Sequence, residues 1–383
     1  MTAIPSEANA QDEAPQNVAI YASKRVPISF AEIEKLAPDA KVKLLAGKKE
    51  SWESVEIKWP EAKIKFTRAS IESDKTLVGH LNNFSGYVFQ RLAEGKMDAH
   101  VFSIIRQISK TNHLYSVEAD PDISSDAVGD FVKATAGAER ALVFVSVKVF
   151  DANMKTLLGP ASSRDEDAEL PKFDSSAKRK QRSMKSLAER KLKVLPGLPW
   201  IVADEQVRMR EAKDVARRAV CLCALAASAE ADSDFDATKF LTEHKLMDHL
   251  SPAEIAFLKK EDRTAKENSV VTWRYEAAWS LLWALNHFDE IGFPDSQSDA
   301  KKSLQLIMND PQTLIDNARL RPTTEILDSA DLFYRCMWIC RDARGKGKAP
   351  EGVSTSVVYE RLYALNWLIR HGNNDWDDVQ TDS

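Results

Sequence analysis

Hydrophobic and polar residues in the first part of the chain alternate in the manner of β-strands. Residues 55–59 and 63–67 alternate apolar with charged side chains on either side of Pro60, which predicts a hairpin with one wet face. Residues 18–22 form a short apolar run that also predicts a strand. Residues 141–150 are a nearly continuous run of β-branched and aromatic residues, and this pattern predicts one strand covered on both faces.

Helical patterns lie between these strands. Ser29 followed by Glu32 is a capping box, which predicts a helix start. Residues 77–92 and 100–108 carry apolar residues at helical spacing. The order of strands and helices predicts an α+β fold for residues 17–158, a sandwich of helices on a largely antiparallel sheet.

A change in composition then predicts a boundary between two domains. Residues 159–176 combine prolines, serines and an acidic cluster with few groups to bury, so we expect a linker there. Residues 177–383 lack strand patterns and predict an all-α domain. The polar residues 1–16 have no apolar core of a signal peptide and predict a disordered lead-in.

The sequence signals for the starts and ends of helices are clear in the second domain. The pattern predicts a helix over residues 204–229, opened by Asp204, and another that starts at the capping box of Ser251 and Glu254. Glycines 345 and 372 are expected to end two later helices, because glycine adopts the left-handed conformation that commonly follows a helix.

Three helices of this domain are apolar on nearly every side: residues 273–285, 326–340 and 357–369. A helix of that kind lies inside a domain. Seven of the nine tryptophans belong to this domain, most of them on these helices. We therefore expect the three helices to pack together as a tryptophan-rich core.

The same helices carry ionic and polar side chains that need partners in a core. The candidate site residues are Arg274, Glu276, Asp331, Arg335, Glu360, Arg361 and Asn366. Asp331 and Arg335 are four residues apart and can pair along one face. Arg274 and Glu276 point in different directions, and we expect them to pair with Glu360 and Arg361.

This cluster has three interpretations. It is a structural network that fixes how the helices dock, or a pocket for an anionic or polar small molecule anchored by Arg274, Arg335 or Arg361. A hydrolytic site with Glu276 or Glu360 as general base is the third, although no nucleophile or metal set accompanies them.

Composition and charge narrow the function classes. A net charge of −5 argues against a protein whose whole surface coats nucleic acid or an anionic membrane. Residues 178–193, from Lys178 to Lys193, are strongly basic but contain no aromatic side chain for stacking on bases, so we expect a solvated helix face and no nucleic acid. No apolar run is long enough to span a bilayer.

The four cysteines predict buried thiols in a reducing, cytoplasmic compartment. Cys221 and Cys223 diverge by about 200° on a helix. Cys336 and Cys340 supply only half a zinc site. We therefore expect no metal and no cofactor.

The run Trp273-Arg274-Tyr275-Glu276-Ala277 and its continuation Leu282-Trp283-Ala284-Leu285 resemble a bacterial family known only as domain of unknown function 4272. Further matching segments are Tyr334-Arg335, Val358-Tyr359-Glu360-Arg361, Ala364-Leu365-Asn366-Trp367 and Trp376-Asp377-Asp378. The resemblance covers residues 177–383 and implies no activity, ligand or catalytic residue.

With no recognisable catalytic set, the sequence favours a non-enzymatic binding or interaction protein over an enzyme. In this hypothesis the helical domain is a scaffold and the α+β domain presents a recognition surface. The expected partner is another bacterial protein or a small anionic ligand. The alternative is an enzyme, or a protein that binds an anionic small molecule, using the Arg/Glu cluster of the three helices.

Overall fold

The computed structural model describes residues 17–91, 98–120, 124–231 and 233–381. The chain divides into two compact units between Phe173 and Asp174, a position inside the segment predicted as a linker. The predicted disordered lead-in, residues 1–16, lies outside the described residues.

The described residues of the first unit form one eight-stranded sheet in which all neighbouring strands are antiparallel. The strand order β2-β3-β4-β5-β1-β6-β7-β8 places the N-terminal strand inside the sheet. The strands are β1 Asn17–Ala22, β2 Lys41–Lys48, β3 Ser51–Lys58, β4 Lys63–Ser70, β5 His113–Asp120, β6 Leu142–Val145, β7 Lys148–Phe150 and β8 Thr156–Leu158. The predicted α+β class and antiparallel sheet are confirmed.

Helices cover the sheet on both faces. The helices of this unit are α1 Phe30–Leu36, α2 Thr76–Gln90, α3 Ala99–Ile108 and α4 Asp126–Glu139. Helices α1 and α4 pack with side chains such as Ile57 and Phe66. Helices α2 and α3 pack against the other face, on Tyr21 and Leu142. The capping box of Ser29 and Glu32 forms as predicted. The predicted helix over residues 77–92 ends at Gln90, and Leu92 lies outside the described residues.

One strand prediction was wrong in this unit, and one strand was not predicted. Residues 141–150 form two strands, not one, because Ser146 and Val147 adopt φ values of +47° and +60° and turn the chain back on itself. Tight hairpins of this type normally carry Asn-Gly at the turn. The sequence Ser146-Val147 therefore did not predict a turn, because a β-branched residue rarely adopts a positive φ. Strand β2 was missed because it is a largely exposed edge strand whose pairing with β3 is irregular at Leu44–Ala46.

The second unit is helical, as predicted, and contains ten α-helices within its described residues. They are α5 Asp174–Glu189, α6 Ala212–Ser228, α7 Ala237–Glu243, α8 Pro252–Lys259, α9 Ala265–Thr272, α10 Arg274–Ala284, α11 Ala300–Asn309, α12 Pro311–Asp316, α13 Thr323–Gly345 and α14 Thr355–Leu368. Short 3-10 turns follow α14, including Trp376–Asp378.

The core of this unit confirms the three buried helices and adds a fourth. Helices α10 and α14 bury most of their side chains, and α13 buries most of those from Ile326 to Cys340. Helix α6 packs against α10, with nearly every residue from Val215 to Ala227 buried. Small residues on α6, chiefly alanines, allow this close approach. The core is therefore built on four helices.

Three helix boundaries differ from the prediction. Residues 204–211 are not helical and α6 begins at Ala212, because the backbone N–H of Arg210 donates to Leu368 O at the end of α14. Gly345 is the last residue of α13, and the left-handed glycine after it is Gly347. Helix α14 ends at Leu368, where the left-handed residue is Arg370. The capping box at Ser251 forms as predicted.

Across the described residues, the structure contains no helix with the length and apolar character required to span a bilayer.

Candidate functional site

Two ion pairs join α10 to α14, and they are the pairs expected from the sequence. Arg361 Nε donates to Glu276 Oε2 at 2.9 Å, and Arg274 Nη1 donates to Glu360 Oε2 at 2.9 Å. The Arg361 and Glu276 side chains are only 3% and 4% exposed. Burial raises the pKa of the Glu360 carboxyl, and the nearby negative charge of Glu276 adds to this effect.

The remaining polar atoms of Glu276 and Arg361 are also bonded. Glu276 Oε1 accepts hydrogen bonds from the backbone N–H and the hydroxyl of Ser298, at 2.5 and 3.0 Å. Arg361 Nη1 donates to the carbonyl oxygens of Ile291 and Gly292. The pair therefore fixes the loop after α10 to both helices, as a structural network would.

The Asp331–Arg335 pair lies within α13. Two parallel hydrogen bonds of 2.8 Å join the guanidinium to the carboxylate, and Arg335 has no solvent exposure. Arg335 Nη2 also donates to Pro199 O at 3.4 Å. Asn366, the last candidate, donates from Nδ2 to Gln380 O at 2.7 Å and so holds the C-terminal segment. Asp331, Arg335 and Asn366 thus all make hydrogen bonds within the protein.

Sequence reasoning missed an alternating stack of arginines and aromatic rings beside this network. The guanidinium of Arg210 lies 4.4 Å from the centre of the Trp367 ring. Arg218 lies 4.9 Å from the Trp376 ring. Trp367 and Trp376 meet edge to face, with their centres 5.5 Å apart. The guanidinium of Arg274 lies 5.7 Å from the centre of the Trp376 ring. Arg274 therefore belongs both to this stack and to the α10–α14 ion pairs. The stack brings together residues from α6, α10, α14 and the C-terminal turn.

An open cleft of about 690 Å³ lies against this stack. We call it the Trp367–Trp376 cleft. Its ionisable lining residues are Arg210, Arg218, His249, Asp214, Asp248, Asp375, Asp377 and Asp378. Burial lowers the pKa of the His249 ring, which favours its neutral form. The carboxylates then outnumber the guanidinium groups by three.

The wall of the cleft is held by a buried ion pair. Arg218 Nη1 donates to Glu254 Oε2 at 2.6 Å, and its Nη2 donates to His249 O at 2.8 Å. The same carboxylate oxygen accepts the backbone N–H of Ser251 in the capping box. Arg218 Nε and Glu254 Oε1 are buried and have no hydrogen-bond partner among the described residues.

Two smaller cavities carry less chemistry. One of about 300 Å³ is lined by Glu276, Ser298 and Gln297. Another of about 450 Å³ lies near Asp236 and Arg263. Glu276 is already saturated by Arg361 and Ser298, so the smaller cavity has no free charged group from the predicted cluster.

The cysteines are free and buried. Burial raises the pKa of the Cys221 thiol to about 12 and raises the pKa of the other three thiols as well. Within the ranges that the structure describes, no three His, Cys, Asp or Glu side chains are grouped so that they could hold a metal ion.

The basic segment on α5 differs from its prediction. Arg179 is fully buried, not solvated, and it pairs with Asp204 and Asp328. Arg182 pairs with Asp328 at 2.6 Å while remaining half exposed. Arg179 and Arg182 therefore hold α5 against the rest of its own unit. The charge pattern of the sequence did not predict this role.

Comparison with known proteins gives one match. The sequence family described as Domain of unknown function (DUF4272) matches residues 179–379, which is more than half of the chain. A search of curated proteins and a search of solved structures each return no match.

Proposed function

The chain belongs to the family described as Domain of unknown function (DUF4272), and from its geometry we propose that it is a non-enzymatic binding protein. The helical unit is the scaffold, and the ligand or partner group binds in the Trp367–Trp376 cleft. The observation that carries the proposal is the cleft itself, about 690 Å³ of open volume against a wall formed by the buried Arg218, Trp367 and Trp376 and the half-buried Arg210. Small-molecule sites are typically clefts of ~300–1,000 Å³, and this cleft falls within that range.

The predicted Arg/Glu cluster supports a binding role less well than the cleft does. An anion would have to displace a carboxylate from Arg361 or Arg335, and both arginines are almost completely buried. Separating such a pair typically costs ~3–5 kcal/mol. A general base at Glu276 would likewise have to release Arg361 and Ser298. We therefore assign the cluster to the framework of the helical unit.

The cleft wall is pre-organised. Arg210 donates from Nε to Trp367 O and from Nη2 to Asn374 O, at 2.9 and 2.7 Å. Tyr363 donates to Trp376 O, and Glu254 holds Arg218. A site whose side chains are already ordered loses little conformational entropy when it binds, so a rigid wall favours recognition.

The proposal includes a reducing, cytoplasmic location. It is supported by the four free cysteines, all buried, which need no oxidising compartment.

Indole resonances test the proposal directly. The full-length protein with ¹⁵N-labelled tryptophan would be titrated with small cationic, neutral and anionic compounds, and the Trp367 and Trp376 signals would be assigned from Trp→Phe variants. We expect at least one class to shift Trp376 and Trp367 saturably while Trp52, a buried tryptophan of the other unit, stays unchanged. If no class moves either indole, the cleft is not a ligand site and the proposal fails.

A further inference from the structure

The eight-stranded sheet of the first unit is closed at one edge and open at the other. At the β8 edge, Thr156 N donates to Asp165 Oδ2 at 2.6 Å, and Thr156 O accepts the N–H of Asp165 at 2.9 Å. Leu157 O is hydrogen-bonded to His100 Nε2 at 2.9 Å. At the other edge, the outward-facing backbone groups of β2 make no hydrogen bond with any residue that the structure describes. Unpaired N–H and C=O groups on an edge strand are a template for pairing with another chain.

We propose that β2 is the docking edge for an extended segment of a partner protein. The segment adds to the sheet as a further strand, with acidic side chains at alternate positions and apolar side chains between them. Main-chain hydrogen bonds give strand addition its affinity, and the alternate side chains give it specificity. The inference goes beyond the proposed function, because it concerns the first unit and does not depend on the Trp367–Trp376 cleft.

The charges on the solvent-facing side of the sheet select acidic side chains. One row across β2, β3, β4 and β5 alternates in sign, and its members in register are Lys43, Glu56, Lys65 and Glu118. Opposite charges on directly opposed residues stabilise neighbouring strands, and Lys65 lies 3.7 Å from Glu118. The row ends at the open edge with a lysine, so the side chain that continues the alternation on an incoming strand is acidic.

The next row of the same face carries an excess of positive charge. Its members in register are Lys41, Lys58, Lys63 and Asp120. Lys63 pairs with Asp120 at 3.3 Å, whereas Lys41 and Lys58 are exposed and form no ion pair within the described part of the chain. Like charges on directly opposed residues destabilise a sheet, and a carboxylate opposite Lys41 would offset this repulsion. The two rows together call for acidic residues two positions apart on the incoming strand.

The core-facing side of β2 supplies the apolar part of the pattern. Val42 and Leu44 pack on the same core as Ile57 and Val55, their partners in register. Ile57 and Val55 are completely buried, but Val42 and Leu44 remain half-buried at the edge. An apolar side chain between the two acidic residues of the incoming strand would cover this surface, which is favourable because it removes apolar area from water.

The same lysines disfavour a second copy of the chain at this edge. Two β2 strands paired about Val42 would place Lys41 of each copy opposite Lys43 of the other. Lysines on edge strands are a common protection against such self-association. The protection does not act against an acidic strand, so charge complementarity selects a different protein as the partner.

Peptide titrations of the full-length protein test the proposal. The probe is an acetylated, amidated hexapeptide in which glutamate and valine alternate. One matched peptide has the same composition with the glutamates and valines in two separate blocks, and the other has lysine in place of each glutamate. We expect saturable binding of the alternating acidic probe, with slower hydrogen exchange of outward-facing β2 amides, and at least about tenfold weaker binding of both matched peptides.

Charge variants locate the site on β2. Lys41→Gln combined with Lys43→Gln should weaken binding of the acidic probe at least about tenfold. Lys41→Glu combined with Lys43→Glu should reverse the preference, so that the lysine–valine peptide binds instead. The control, Lys266→Gln combined with Lys301→Gln, removes two exposed lysines of the helical unit and should leave the affinity unchanged. The amide resonances of β3 show in each variant whether the sheet remains folded.

Each alternative outcome has a distinct result. If the block peptide binds as tightly as the alternating one, or if the β2 amides exchange at unchanged rates, the attraction is only electrostatic and strand addition is wrong. Equal losses in the Lys41/Lys43 and Lys266/Lys301 glutamine variants would overturn the assignment to β2. A dimer in sedimentation velocity that the acidic probe dissociates would mean that a second copy occupies the edge. These readouts do not involve the Trp367 and Trp376 indoles, so failure here leaves the proposed function of the cleft unaffected.

Discussion

Arg361 on α14 and Glu276 on α10 are joined by a 2.9 Å hydrogen bond although 85 residues separate them in the chain. Taking two charges out of water is costly, so such a pair adds little net stability compared with well-packed apolar side chains. It does impose a direction: only one placement of α14 against α10 brings the guanidinium onto the carboxylate. The apolar burial around it supplies the driving force, and the pair selects one docking geometry from the many that apolar helices would accept.

Neutralising Glu276 should therefore lower the free energy of unfolding by much more than neutralising an exposed carboxylate does. Glu276→Gln leaves Arg361 buried without a counter-ion, and we expect the free energy of unfolding to fall by ~3–5 kcal/mol. Urea unfolding followed by tryptophan fluorescence measures this, since seven of the nine tryptophans lie in the helical unit.

The matched control is Glu325→Gln. Glu325 pairs with Arg321 at 3.3 Å, but its side chain is half exposed, so this change should cost less than ~1 kcal/mol. If Glu276→Gln and Glu325→Gln cost the same, the α10–α14 pair is not the structural element described above.

The sequence was sufficient to predict these pairs for a physical reason. Three helices that are apolar on nearly all sides are expected to share one core, and charges in a core need partners, so Arg274 and Glu276 were expected to pair with Glu360 and Arg361. The same reasoning could not find the cleft. Its residues come from α6, a turn before α8, α14 and the C-terminal segment, and nothing in their local spacing indicates that Arg218 lies on Trp376.

Two other elements escaped prediction because local rules were overridden. The chain reverses at Ser146 and Val147, where a valine adopts a positive φ that its sequence context does not signal. The start of α6 is displaced to Ala212 because the backbone before it bonds to the end of α14. The displaced start of α6 is a tertiary effect, and its local sequence carries no record of it. The helix ends predicted at Gly345 and Gly372 differ from the observed ends by a few residues.

The Asp331–Arg335 pair provides a test of whether a buried ion pair stabilises this core. Arg335→Met alone leaves a buried carboxylate unpaired and should lower the free energy of unfolding by ~3–5 kcal/mol. Replacing both residues, with Asp331→Leu and Arg335→Met, removes the unpaired charge and should restore most of that loss. Urea unfolding of the two single variants and the double variant gives the coupling energy.

Arg335 Nη1 has no partner among the described residues, which strengthens the expectation for the double variant. A double variant that is less stable than either single variant would show that the ion pair contributes more than its replacement by apolar packing.

The four cysteines should be inert in the folded protein. Their thiols are buried, and burial raises their pKa, so the reactive thiolate is scarce. We expect no fast reaction with Ellman's reagent under native conditions, and four equivalents per chain after unfolding in guanidinium chloride.

A cysteine placed on the surface calibrates the thiol measurement. Lys239→Cys on α7 puts a thiol at an exposed position and should add one equivalent that reacts at once. Fast reaction of any native cysteine would contradict the burial of these side chains in the helical core.

Glu139 predicts a pH dependence for the α+β unit. It is the last residue of α4 and is 1% exposed, and its Oε2 has no hydrogen-bond partner among the described residues. Burial raises the pKa of this carboxyl from 4.5 to about 7, although the charge of Lys24 opposes the shift. The partial negative charge at the C-terminal end of α4 acts in the same direction as burial.

The sign of the effect follows from which state holds the proton. Between about pH 4.5 and 7 the folded unit keeps Glu139 protonated while the unfolded chain releases the proton, so the free energy of unfolding falls as pH rises through this window. Glu139→Gln removes the titration. The variant should match the wild type near pH 4 and exceed its stability above pH 7 by at most roughly 3 kcal/mol, the equivalent of the pKa shift.

Urea titrations monitored at the Trp52 indole resonance report on this unit alone. The control is Glu118→Gln, which removes an exposed ion pair on β5 and should have little pH-dependent effect. A stability difference between Glu139→Gln and wild type that stays constant from about pH 4 to about pH 8 would mean that folding does not raise the pKa of Glu139, and the prediction would be wrong.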